Sequence, residues 1–247
     1  MRSVRAASGF VIGVCALACG GSKPCEGPIV LAASDLGPAL EEVASVRAAA
    51  TGCKPVVATG ASGALAAQLS QGAPADLFLA ADAGFVDQLI AGGHARADTR
   101  AIYALGHLAL VAAPGRTPPP TVGSLVDPSV RTIAVANPEH APYGRAAAEA
   151  MRAAGVWDAV QPRLVFGENV AQTWQLVATG NADVGLVARS VAVARGVAWV
   201  AVDAPPLVQV GVVPARGPDP ASGAALLDWL RGDEGRALLA RHGFGIP

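Results

Sequence analysis

Three short loops in this sequence carry small and hydroxyl residues directly before a segment with helical spacing of apolar residues. They read Ala-Ala-Ser-Asp-Leu at 32–36, Gly-Ala-Ser-Gly-Ala at 60–64 and Asn-Pro-Glu-His-Ala-Pro-Tyr-Gly at 137–144, and Gly-Glu-Asn-Val at 167–170 precedes a further helix. The first turn of a helix leaves its N–H groups free, and the positive end of the helix dipole lies there. Hydroxyl side chains add further donors. These loops could therefore bind an anion.

Other interpretations of the same loops stay open at this point. Ser34 and Ser62 fit the simpler role of helix N-caps. The loop at 60–64 is also similar to the nucleophile elbow of a serine hydrolase, although Ala64 stands where that motif has its last glycine. In a hydrolase, His140 would be the base, oriented by Asp35 or Glu139.

The elements that must position these loops alternate between strand and helix. In the first part of the chain, strands are predicted at 28–33, 54–59 and 76–80, and helices at 37–50, 63–70 and 82–91. This order predicts a parallel sheet covered by helices. Ligands bind such sheets outside the carboxyl ends of the strands, where the first two loops would lie.

A second alternating set follows a long apolar strand predicted at 103–113. Further strands are predicted at 132–136, 163–166, 183–187, 198–202 and 207–213, and helices at 142–154, 170–179, 221–231 and 234–242. The fold class is therefore α/β with two lobes, joined through the strands near 103–113 and 207–213. The first lobe is assigned to 27–105 and 207–247, and the second lobe to 106–206.

Charge and composition exclude several functional classes. The chain of 247 residues has 18 Lys and Arg against 19 Asp and Glu, and no basic cluster stands out, which argues against a nucleic-acid partner. The hydrophobic fraction is 52%, but no stretch after the first ~20 residues is long enough to cross a bilayer. The excess of apolar residues comes mostly from alanine in the predicted helices.

The N-terminus has the pattern of an export signal at 1–18, followed by a linker at 19–27. Arg2 and Arg5 precede a short apolar core at 10–18. Cys19 follows small residues, as at a bacterial lipoprotein cleavage site, which predicts a periplasmic protein anchored by acylation of Cys19. The motif is irregular because Leu17 is one position too close to the cysteine, so a simple secreted form stays the alternative.

The four cysteines are Cys15, Cys19, Cys25 and Cys53. A metal site built on the first three is one interpretation, but Cys15 lies inside the signal and no histidine or acidic cluster completes a site. In an oxidising compartment, Cys25 and Cys53 are an even pair, which predicts a disulfide. Each precedes one of the first two strands, whose starts are neighbours in a parallel pair.

Taken together, several segments resemble the periplasmic molybdate-binding proteins of ABC transporters. They are 32–36, 137–144, 167–170, Gln-Gly-Ala-Pro-Ala-Asp-Leu-Phe-Leu-Ala-Ala-Asp at 71–82, Gly-Asn-Ala-Asp-Val-Gly-Leu-Val-Ala at 180–188, and the C-terminal helix pair ending at Gly243-Phe244. They follow one another in the family's order from about residue 28 onward. The resemblance implies a two-lobed type II periplasmic binding protein fold, with an oxyanion in the cleft between the lobes.

The resemblance also implies a set of ligand-binding residues. The hydroxyl groups of Ser34 and Ser62 would bind the anion from the first lobe, and the backbone N–H groups of Tyr143 and Val170 from the second. The N–H groups next to the serines, on Asp35 and Gly63, are further candidates. Metal would be bound only as the molybdenum of the oxyanion, through the first four of these residues.

Three positions raise a question about how the anion is bound. The carboxylate of Asp35 would repel a dianion, so we expect its side chain to turn away and cap the following helix. Some relatives add a tyrosine hydroxyl where this chain has Ala188, so that donor is absent here. Arg145 could approach the anion from its helix, or it could be a solvated surface residue.

The function expected from the sequence is the extracytoplasmic capture of molybdate or tungstate and its delivery to an ABC permease, by a monomer with no reaction or cofactor of its own. A binding protein for sulfate or a small organic anion is the main alternative. A serine hydrolase is a further one.

Overall fold

A computed structural model of the protein describes residues 25–247. The predicted signal, the lipidation site Cys19 and most of the linker lie outside the described residues. The strands are β1 (Cys25–Ala33), β2 (Cys53–Gly60), β3 (Leu77–Ala80), β4 (Ala101–Gly106), β5 (Leu108–Ala112), β6 (Ile133–Ala136), β7 (Leu164–Gly167), β8 (Val184–Ala188), β9 (Trp199–Ala201) and β10 (Leu207–Val212). They form two five-stranded sheets.

The helices cover both sheets. They are α1 (Gly37–Thr51), α2 (Ser62–Ser70), α3 (Ala83–Ala91), α4 (Pro142–Ala153), α5 (Trp157–Val160), α6 (Val170–Ala178), α7 (Arg189–Arg195), α8 (Pro220–Arg231) and α9 (Asp233–Arg241). The predicted helices match these elements to within one or two residues, whereas the short helices α5 and α7 were not predicted. Asp82 caps α3, since its side chain accepts the N–H of Gly84. None of the described helices is long and apolar enough to cross a membrane.

Both sheets are mixed, and they share one plan. The first has the order β2-β1-β3-β10-β4, with β10 antiparallel to both of its neighbours. The second has the order β7-β6-β8-β5-β9, with β5 antiparallel to both of its neighbours. The remaining pairs are parallel, as the alternation of strands and helices predicts. The two-lobed α/β fold predicted from the sequence is confirmed.

The single strand predicted at 103–113 is wrong. The chain leaves the first sheet after Gly106 and enters the second sheet at Leu108, so that β4 and β5 belong to different sheets. The continuous apolar run hides this break, because both strands are buried and hydropathy alone does not separate them. β10 returns the chain to the first sheet.

A disulfide joins the first two strands at the ends where they begin. Cys25 pairs in register with Cys53, and their sulfur atoms are 2.03 Å apart. The predicted disulfide is therefore confirmed. Because its sulfur is bonded to Cys53, Cys25 is not available as a ligand for the metal site considered above.

Alternating side chains of the first sheet enter two different cores. Leu77 and Leu79 pack with Leu230 on one face, and Phe78 packs with Leu65 on the other. This is the twofold alternation of a strand buried on both faces. A third core lies between the second sheet and the helices that cover it. These rigid layers hold the loops at the carboxyl ends of the strands.

Candidate functional site

The loops with small and hydroxyl residues meet at one cavity between the two lobes. Its polar lining comes from Ser34, Asp35, Ser62, Tyr143, Asn169 and Val170. The cavity is small, about 10 Å³, which is enough for roughly one water molecule. Residues of both lobes line this cavity, and the lobes contact each other beside it.

Strand register explains why the loops converge. Ala33 of β1 pairs with Gly60 of β2, so the two loops of the first lobe leave the sheet side by side. Ala136 of β6 pairs with Gly167 of β7 in the same way in the second lobe. The carboxyl ends of parallel strands thus present four loops to the cleft.

The first lobe places two buried serines in this cavity. Ser62 Oγ accepts the N–H of Ala81 at 3.1 Å, which leaves the hydroxyl hydrogen free to donate to another acceptor. Ser34 is also buried. Neither serine is an N-cap, since Ala33 and Ala61 hold those positions and no side-chain cap forms there. The N-cap interpretation of the two serines is wrong.

The second lobe presents backbone donors at two helix N-termini. Pro142 is the first residue of α4, so Tyr143 carries the first N–H of that helix. Asn169 caps α6 by accepting the N–H groups of Ala171 and Gln172 at 3.0 and 3.1 Å. Within residues 25–247, no protein acceptor receives the N–H of Tyr143 or of Val170.

Gly63 lies outside this lining, and its N–H is already used. It donates to the carbonyl oxygen of His140 at 3.0 Å and so joins the two lobes. A Cβ at Gly63 would lie 2.9 Å from the same oxygen, which explains the glycine. The ring of His140 contacts Glu168, with Nε2 3.3 Å from Oε2. The hydrolase alternative instead expected Asp35 or Glu139 to orient His140.

Asp35 does not cap a helix, so that expectation is wrong. Its Oδ2 accepts the hydroxyl of Tyr143 at 2.9 Å and Nε2 of Gln209 at 2.6 Å. Tyr103 donates in turn to Oε1 of Gln209 at 2.7 Å. A Cβ at Gly106 would collide with Tyr143 and Gln209, so the glycine makes room for this network.

This network is buried, and burial changes the acidity of its members. Burial raises the pKa of Asp35, against the opposing effect of the hydrogen bonds from Gln209 and Tyr143 and of the backbone N–H groups of Asp35 and Leu36. Burial also raises the pKa of Tyr103 and of Tyr143 well above their usual range, and the nearby Asp35 adds to the effect. Both phenols therefore stay neutral donors.

Sequence analysis missed Tyr103, Gln209 and the hydroxyl role of Tyr143. One signal was present for Gln209, because it is the single strongly polar residue in the apolar run of β10. A polar side chain buried in a strand needs a hydrogen-bond partner. The sequence does not indicate which partner this is.

Two further contacts join the lobes beside the cavity. Arg145 Nη2 lies 2.6 Å from Asp82 Oδ2, and its guanidinium lies 5.1 Å from the ring centre of Phe85. Ser190 donates its hydroxyl to the backbone oxygen of Asp35 at 2.9 Å. Arg145 therefore bridges the lobes, a role that neither interpretation from the sequence predicted.

Comparison with known proteins identifies the family of this chain. A family described as bacterial extracellular solute-binding protein matches residues 29–245. The molybdate-binding protein ModA of Azotobacter vinelandii is 32% identical over 245 residues, covering 95% of each chain. ModA of Rhodobacter capsulatus is 33% identical over 209 residues, covering 83% of this chain and 82% of its own.

Solved structures agree with this result. The periplasmic molybdate-binding protein of Azotobacter vinelandii superposes with a TM-score of 0.81 at 30% identity, covering 89% of this chain and 99% of its own. The sulfate-binding protein SubI of Mycobacterium tuberculosis reaches a TM-score of 0.77 at 16% identity, covering 89% and 86%, and shows the shared fold alone. From the family match and the identity over most of the chain, this protein belongs to the bacterial extracellular solute-binding proteins.

Proposed function

We propose that this protein captures molybdate or tungstate outside the cytoplasm and delivers the anion to an ABC permease. One observation carries the proposal: neutral donors from both lobes converge on a single small cavity. Ser34 and Ser62 contribute from the first lobe, and the N–H groups of Tyr143 and Val170 from the second. Among the described residues that line this cavity there is no Lys or Arg.

The relatives support the choice of ligand. Proteins that share 32–33% identity with this chain over most of its length are named molybdate-binding proteins. The resemblance in the sequence implies an oxyanion between the lobes, which supports the same choice. The alternative ligands, sulfate and small organic anions, remain to be separated by measurement.

A cavity of oriented dipoles can bind a fully ionised oxyanion without a counter-charge. Each hydrogen bond to a charged group contributes about 1.5–3 kcal/mol. About six such bonds, less the costs of closure and immobilisation, are consistent with roughly micromolar or tighter binding. Hydroxyl and N–H donors favour a fully ionised anion over hydrogen phosphate, whose proton needs an acceptor.

Further parts of the proposal concern the whole protein. It acts as a monomer, without a cofactor and without catalysing a reaction, and it is held at the membrane through acylated Cys19. Closure of the two lobes on the anion gives the permease one defined shape to recognise. The contacts from Arg145 to Asp82 and from Ser190 to Asp35 support such a closed form.

Calorimetric titration tests this function. We expect purified mature protein to bind molybdate and tungstate tightly and hydrogen phosphate weakly, with sulfate as the discriminating ligand. Bound anion should also raise the melting temperature, since it binds only the folded state. Binding of none of these anions contradicts the proposed function, and tight binding of sulfate alone supports the alternative ligand.

A further inference from the structure

The side chain of Asp35 poses an electrostatic problem at the proposed anion site. It lines the same cavity as Ser34 and Ser62, and it is almost fully buried, with 1% of the residue exposed. An ionised carboxylate at this place would oppose a dianion at short range. The opposition would be strong because few water molecules remain between the two charges.

The two carboxyl oxygens of Asp35 have different surroundings. Oδ2 accepts two hydrogen bonds, one from the hydroxyl of Tyr143 and one from Nε2 of Gln209. Oδ1 is buried and has no hydrogen-bond partner among the described residues. In a neutral carboxyl group with its carbonyl oxygen at Oδ2, the proton on Oδ1 needs an acceptor, and a bound anion would supply one.

Among the described residues, no cationic side chain hydrogen-bonds this carboxyl, and the backbone N–H groups of Asp35 and Leu36 are the other donors close to it. Tyr103 comes from β4, Tyr143 from α4 and Gln209 from β10. The helix α6 contains no titratable side chain. Arg189, on α7, directs its Nε to the carbonyl oxygen of Gly243 at 2.6 Å. A buried acid without a cation partner avoids the cost of burying a charge by staying protonated.

We propose that Asp35 binds a proton on Oδ1 when the lobes close on the oxyanion, and that it donates this proton in a hydrogen bond to the anion. This inference rests on the proposed function. The proton comes from solvent, because the carboxyl is ionised while the open cleft exposes it to water. No covalent bond to the anion forms, and the proton returns to solvent when the lobes open. Each anion therefore enters together with one proton.

The proposal predicts a specific pH dependence. Because the bound form of Asp35 holds a proton that the open form lacks, binding is favoured at low pH. Affinity is lost as the pH rises. The dissociation constant should increase about tenfold per pH unit wherever the open form is ionised and the bound form is neutral. An array of backbone and serine donors alone gives no such slope.

The experiment is a calorimetric titration with tungstate and with molybdate between about pH 6.5 and 8.5, where both are dianions. Each titration is repeated in buffers of different ionisation enthalpy, so that the observed heat reports the number of protons taken up. We expect close to one proton per anion for the natural protein. Binding without proton uptake and without a pH slope overturns the inference and leaves the proposed function standing.

Variants separate Asp35 from any other source of the proton uptake. Asp35→Asn places an amide donor at the same position, so proton uptake and the pH slope should both disappear while anion binding persists. Ser62→Ala is the matched control, since it should weaken binding yet keep the uptake of one proton. A proton uptake that survives in Asp35→Asn overturns the assignment.

Phosphate provides the opposite test. An ionised Asp35 would instead accept the proton of hydrogen phosphate, and the protein would then prefer phosphate over tungstate without taking up a proton. That result overturns the inference. A protein that binds no oxyanion at any pH contradicts the proposed function itself, which distinguishes the two failures.

Discussion

The two lobes present donors to the same cavity by different means. In the first lobe, buried serine hydroxyls line the cavity, and Ser62 keeps its hydrogen because its oxygen accepts the N–H of Ala81. In the second lobe, the donors are backbone N–H groups of Tyr143 and Val170, at the first turns of α4 and α6. A hydroxyl donor depends on residue type, whereas a backbone donor depends only on where a helix begins.

The lobes also differ in how their chain is held. Described strands of the first sheet come from two separate parts of the chain, 25–106 and 207–212, and a disulfide crosses β1 and β2. Those of the second sheet come from one continuous part, 108–201. The disulfide lies where the strands begin, while the cavity lies where they end. Stability and binding can therefore be perturbed separately in the first lobe.

The largest expected effect comes from removal of the disulfide. The bond closes a separation of 28 residues, so Cys25→Ser with Cys53→Ser should lower the free energy of unfolding by about 3–4 kcal/mol. Denaturant titration measures this loss. Anion affinity should change little, because the bond is at the far end of the strands from the cavity. A large loss of affinity in a folded variant would show that the two ends of the first lobe are coupled.

The second prediction compares one donor from each lobe. Proline is tolerated at the first position of a helix, so Val170→Pro should remove one N–H while α6 stays intact. Loss of that hydrogen bond should weaken anion binding by about 1.5–3 kcal/mol. In the first lobe, Ser62→Ala should weaken anion binding by about 1–3 kcal/mol. Calorimetry measures both.

Val170→Ala is the control, because it keeps the N–H and should bind nearly as well as the natural protein. The comparison of the lobes fails if Val170→Ala weakens binding as much as Val170→Pro. It also fails if Ser62→Ala leaves affinity unchanged.

The smallest expected effect concerns the ion pair across the cleft. The side chains of Arg145 and Asp82 are 35% and 36% exposed, so solvent screens their attraction. Arg145→Ala should weaken anion binding by at most about 1 kcal/mol, with a smaller difference at high salt. Titrations at two ionic strengths measure it. A loss of several kcal/mol would instead place Arg145 at the anion.

Much of the architecture followed from pattern alone. Alternating apolar runs and helical spacing located most elements, since burial imposes a period of two on strands and 3.6 on helices. The break between β4 and β5 was missed, because both halves are apolar and the change of sheet leaves no mark in hydropathy. The short helices α5 and α7 were not predicted either.

The site could be predicted only in part. Loop composition indicated an anion site, and the resemblance to a family selected the residues that were expected to bind. The network of Tyr103, Gln209 and Asp35 was not predicted, because it joins side chains more than 100 positions apart. Asp35 was expected to cap a helix, which is the local solution for such a residue.

The sequence by itself determined the order of elements, the small and hydroxyl loops before the helices, and the paired cysteines at the starts of two strands. These features depend on neighbours along the chain. Only the tertiary structure decided that Tyr143 of one lobe reaches Asp35 of the other, and that one oxygen of this buried acid lacks a partner. The carboxyl is buried where the lobes meet, and its charge state depends on groups that lie far apart in the sequence.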